Sequence, residues 1–120
     1  MISTPALIKS TIIGTLLQLA MVLVGHSSPA VANMFAVGGM TISLLAGIAY
    51  ALMARPATAG GAIVGGLLAG GICALLGIIV SYVLGDVTAM ILVMGTASSA
   101  ITGAFGGWLG KLFAGRKAVN

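Results

Sequence analysis

No Asp, Glu, Lys or Arg occurs between Lys9 and Arg55, between Arg55 and Asp86, or between Asp86 and Lys111. Three uncharged stretches of that length constrain the chain more than any motif in it. A soluble domain draws roughly 25% of its residues from the charged set. This chain of 120 residues draws 5%, while 60% are hydrophobic. That is too little polar surface to cover a water-soluble globule, and the medium that suits it is lipid. A helix that crosses the hydrocarbon core needs roughly 20 mostly apolar residues.

Four stretches meet that length: about 5–24, 29–54, 56–84 and 87–114. The expected fold is an all-α membrane protein, a four-transmembrane-helix bundle in which residues 1–120 form a single transmembrane domain. The boundaries carry local signals. Thr4-Pro5 and Ser28-Pro29 each set a capping oxygen before a proline at the first helical position. Arg55-Pro56 ends one helix and starts another, since the residue before proline is pushed out of the α region. Gly85 suits a helix C-terminus, and Asp86 suits the N-cap of the next helix.

With four spans, Lys9, Arg55, Lys111, Arg116 and Lys117 fall on one side, and His26 and Asp86 on the other. A miscounted helix would scatter them. The positive-inside rule then places both termini in the cytoplasm, and the expected location is a bacterial inner (plasma) membrane. Tyr50, Trp108 and Phe113 near one set of ends, and Phe35 and Tyr82 near the other, fit interfacial aromatic belts. Lys9 can snorkel from the first helix, and Lys111, Arg116 and Lys117 are expected to contact lipid headgroups. Lys9, the run Ile12–Val24 and Ala30-Val31-Ala32 also carry the pattern of a cleavable signal peptide, the alternative to a first span. The net charge of +4 is spread over too few residues to track a phosphate backbone, so nucleic acid is not an expected partner.

The 19 glycines indicate how such helices associate. Apolar side chains gain little by touching each other instead of lipid tails, so helices meet where small residues let backbones approach. In the second span Gly39, Ser43 and Gly47 share a face. In the third, Gly66 and Gly70 share one face and Gly61 and Gly65 another. In the fourth, Gly95, Ser99 and Gly103 align, followed by Gly106 and Gly110. The third span is therefore expected to be central or at a subunit boundary. These stripes exceed what four helices need, which leads to the expectation of a homo-oligomer joined through glycine zippers. Sliding the chain by 56 positions, Val31 onto Val87, also lays Gly14 on Gly70, Gly39 on Gly95, Ser43 on Ser99 and Gly47 on Gly103. A duplication would make two tandem, parallel helical hairpins, unlike the inverted repeats of many transporters.

The first span carries a polar face of Thr11, Thr15 and Gln18. An amide in hydrocarbon is costly unless it finds a partner or water. Those three residues either bond between helices or line a wet pore. Enzyme chemistry is not expected. The chain has no glutamate, one aspartate, one histidine and one cysteine, Cys73, so no disulfide, carboxylate pair, triad or metal cluster can be assembled, and no cofactor is implied. Small multidrug-type transporters have a similar length and four helices, but this chain lacks the membrane-embedded acid that couples protons in such proteins. The functional expectation is a non-enzymatic, homo-oligomeric membrane assembly forming a pore or channel. The alternatives are an accessory or structural subunit packed on a protein partner, and a passive carrier or lipid-binding protein using a groove between the hairpins.

Overall fold

The computed structural model describes residues 2–56 and 58–119, without the side chains of Ala32 and residues 114–119. Five helices follow in order: α1 Thr4–Ser27, α2 Pro29–Ala32, α3 Phe35–Ala54, α4 Ala59–Val83 and α5 Ala89–Val119. There is no strand among the described residues. Helices α1, α3, α4 and the Ala89–Phe113 part of α5 are long and apolar enough to cross a membrane. The chain is thus an all-helical integral membrane protein.

The helix ends refine the sequence reading. Ser3, not Thr4, caps α1: its Oγ accepts from the Ala6 N–H at 3.5 Å, and Pro5 sits inside the first turn, where its missing N–H costs nothing. The stretch 29–54 is not one helix. Ser28 caps α2 as expected, but α2 ends after one turn and α3 restarts at Phe35. One unbroken helix over that stretch would run to about 39 Å, against a hydrocarbon core of roughly 30 Å; the break leaves a span that matches the bilayer. Pro56 lies in the loop, and α4 starts later, where Thr58 Oγ1 accepts from the Gly61 N–H at 3.0 Å.

Gly85 does end α4. With φ of 81° it occupies the left-handed conformation that glycine adopts without steric cost. Its N–H bonds the Tyr82 carbonyl and the Asp86 N–H bonds the Ser81 carbonyl, both at 3.0 Å, the paired closure of a Schellman motif. Asp86 is not the next cap. Thr88 Oγ1 takes that role, accepting from the Ile91 N–H at 3.3 Å. Arg55, at the end of α3, is also left-handed, with φ of 48°.

Contacts between distant residues define two ends. At one, the Ser3 N–H donates to the Tyr50 hydroxyl at 3.0 Å, and Lys111 Nζ donates to the Pro56 carbonyl at 2.8 Å. At the other, His26 Nδ1 meets Asp86 Oδ2 at 2.8 Å. Helix α4 packs against α1, α3 and α5, and α3 also packs against α1 and α5, but α1 and α5 do not pack on one another. Tyr50, expected in an interfacial belt, is fully buried. Its ring lies over Gly65, where a Cβ would occupy the space of the ring.

Candidate functional site

A polar knot ties α1 to α3 and α4. Gln18 is buried. Its Nε2 donates to the Gly39 carbonyl at 3.1 Å and to Ser43 Oγ at 3.3 Å. Ser43 Oγ in turn donates to the Gly70 carbonyl at 3.1 Å. The Cys73 thiol reaches that same carbonyl at 3.3 Å and packs against Gly14. The acceptor at Gly39 fixes which end of the Gln18 amide is nitrogen, and no hydrogen bond reaches Gln18 Oε1 among the described residues. Gln18 is therefore an interhelical donor. Thr11 and Thr15 flank the same buried side of α1, and both hydroxyls are buried without a partner.

The glycines divide by what a side chain would meet. A Cβ on Gly66 would overlap the Gly103 carbonyl, and one on Gly70 would lie 2.7 Å from Gly103 Cα. A Cβ on Gly47 would also overlap the Gly103 carbonyl. Gly103 thus sits where α3, α4 and α5 converge. Ser99, one turn earlier on α5, is buried, and its carbonyl faces Gly70. Gly95 meets only the tip of Ile78, and Gly39 touches Gln18 and Met21 at ordinary distances. Among the described residues, a Cβ on Gly61 would meet only Thr58 and Pro56 of its own loop. That glycine was expected in a packing face, but it faces its own loop, while the next residue, Ala62, turns toward Gly107 of α5. Gly106, Gly107 and Gly110 approach the backbones of α3 and α4 as tightly as any; their spacing after Gly103 was the signal for them. Lys111, expected at headgroups, is half-buried and directs its ammonium to the Pro56 carbonyl. The side chains of Arg116 and Lys117 lie outside the described residues.

Where α1 and α5 stay apart, a cavity of about 590 Å³ opens among all four spans. Gln18, Gly39 and Ser99 lie at its deep end, with Ala74 and Ser98. Met21, Val22, Met40, Ile78, Ile91 and Met94 form apolar walls. Phe35, Asn33 and Asp86 stand toward the mouth. Gln18 lies nine positions before the end of α1, so the floor is about 13 Å below that end, close to half the hydrocarbon thickness. Ser81 lines the wall, fully buried, and its hydroxyl has no partner. The volume falls within the roughly 300–1,000 Å³ typical of small-molecule sites, as does the pattern of apolar walls with a few polar atoms.

Asp86 and His26 are separated by 60 residues in sequence, which is why their pairing could not be read from spacing. No group of three or more His, Cys, Asp or Glu capable of holding a metal occurs among the described residues. Comparison with models of known families, with curated proteins and with solved structures finds no match.

Proposed function

We propose that this is a non-enzymatic, multi-pass membrane protein, a four-helix bundle built from two parallel hairpins, that holds the apolar part of a small amphiphile in the vestibule between α1 and α5. The reading is the passive carrier or lipid-binding one. The observation that carries it is the vestibule: a half-membrane-deep, apolar-walled cavity whose wall includes Ser81, with its unpartnered hydroxyl.

The duplication gives the cavity a structural rationale. At a shift of 56 positions, Gln18 corresponds to Ala74, Val22 to Ile78, Phe35 to Ile91 and Gly39 to Gly95, and all eight line the vestibule. That shared lining fits a two-fold axis along the membrane normal. A perfect repeat would pair α1 with α5 as α3 pairs with α4. That pairing is missing, and the vestibule takes its place.

The carrier reading is preferred to the pore because the glycine faces are largely occupied within one chain and Gln18 bonds inward. A homo-oligomer or a protein partner would have to use the apolar outer faces instead. By the positive-inside rule, the Arg55 and Lys111 end lies in the cytoplasm, and the vestibule opens to the opposite face of a bacterial inner membrane.

Native mass spectrometry of the protein released from lipid nanodiscs tests the reading. Wild type should retain one added alkyl-chain molecule such as decanol per chain, and Ser98→Phe, which fills the cavity, should lose it. Equal adducts on both would refute the vestibule. A discrete ring of several copies with no adduct would restore the pore.

A further inference from the structure

We propose that the occupant is a hydrophobic cation, an alkylammonium-type amphiphile whose charged head is held at Asp86 beside Ser81 and whose apolar body lies among Met21, Met40 and Met94. This rests on the vestibule reading above and adds the charge of the ligand.

Asp86 is the only acidic residue in the sequence, and among the described residues it is the only charged side chain that lines the vestibule. Lys9, Arg55 and Lys111 belong to the opposite end of the helices. A ligand entering at Asp86 therefore meets a carboxylate with no nearby ammonium or guanidinium among the described residues. Its one side-chain partner there is His26, which occupies Oδ2 and leaves Oδ1 open. Ser81 supplies the independent sign of a ligand. Its hydroxyl is buried at 1% exposure, has no partner, and belongs to a residue of the cavity wall. A buried hydroxyl without a partner carries a desolvation cost that a bound donor would remove.

The three charge classes of amphiphile fare differently here. An anionic head would meet a carboxylate whose one basic neighbour, His26, is already paired with it. A neutral head would leave the carboxylate to water. An ammonium donates to Asp86, and charge-assisted hydrogen bonds are roughly twice as strong as neutral ones. The methionine walls suit an alkyl body of no fixed shape, since thioether side chains are flexible and polarizable.

The test compares decylamine, decanol and decanoate, of equal chain length, at neutral pH. They are titrated into the protein in zwitterionic nanodiscs, and adducts are counted by native mass spectrometry. Decylamine is expected to bind one per chain, about tenfold tighter than decanol, with decanoate weakest. Asp86→Asn should abolish the preference for the amine over decanol, and Asp86→Glu should keep it. If wild type binds amine and decanol equally, or Asp86→Asn keeps the preference, the assignment of charge is wrong while the vestibule reading stands. If none of the three binds, both are wrong.

Discussion

Gly66→Ala adds one methyl group where α4 crosses α5. That Cβ would overlap the carbonyl oxygen of Gly103 and lie 2.8 Å from Gly107 Cα and 2.9 Å from its nitrogen. All are backbone atoms, so no rotamer change relieves the clash, and the helices must part. Ordinary contact for a Cβ begins near 3.4 Å. The required shift is on the order of 1 Å, over which neighbouring atom pairs lose about a quarter to a half of their attraction. Overpacking of this kind costs about 1–3 kcal/mol, and the better helix propensity of alanine offsets up to about 1 kcal/mol. A net loss of about 1–2 kcal/mol is expected. Gly61→Ala is the matched control on the same helix. Its Cβ would meet only Thr58 Oγ1 at 3.3 Å and Pro56 Cβ at 3.5 Å, so alanine should be neutral or stabilise by up to about 1 kcal/mol. Reversible unfolding in mixed micelles, titrated with SDS and followed by circular dichroism, measures both. Equal stabilities for the two variants would refute close backbone packing of α4 on α5.

Other substitutions probe single contacts. Gln18→Leu removes two interhelical bonds, and at an average of about 0.6 kcal/mol each in membranes the same titration should show a loss near 1 kcal/mol; a loss above about 3 kcal/mol would mean that Gln18 does more than join helices. Tyr50→Phe leaves the Ser3 N–H without its acceptor, so it should destabilise by about 1 kcal/mol and speed amide exchange at Ser3, with little change at mid-helix amides. Gly85→Ala places a Cβ at φ of 81° and should cost about 1 kcal/mol, whereas Arg55→Gly, at φ of 48°, should stabilise by about the same amount; thermal unfolding that ranks them the other way would contradict the two turn conformations.

Much of this molecule was legible along the chain, because the signals are local. Hydropathy alone marks four spans, since lipid selects on composition over one helix length. The Ser28 cap and the Gly85 terminus are also local, set by one side-chain oxygen and one backbone angle. Other local signals competed with equals: Ser3 stands beside Thr4, and Thr88 near Asp86, so chemistry alone did not choose the cap.

The stripe of small residues identified Gly66, Gly70 and Gly103 as contact positions, but it could not separate Gly66 from Gly61, because that depends on where the neighbouring helix crosses. The partner of Gln18 was equally open to a sequence reading. An amide in a span needs a bond, and only the placement of α3 against α1 decides that Gly39 and Ser43 provide it. The same holds for His26 and Asp86, brought together across 60 residues. The vestibule is the clearest case. Its polar and apolar residues come from every span, and it lies where α1 and α5 do not pack on one another. The sequence by itself determined the medium, the spans and the separation of charge between the two ends. Only the tertiary structure decided which small faces close on each other and which gap stays open, because packing depends on pairs of helices and no single segment encodes it.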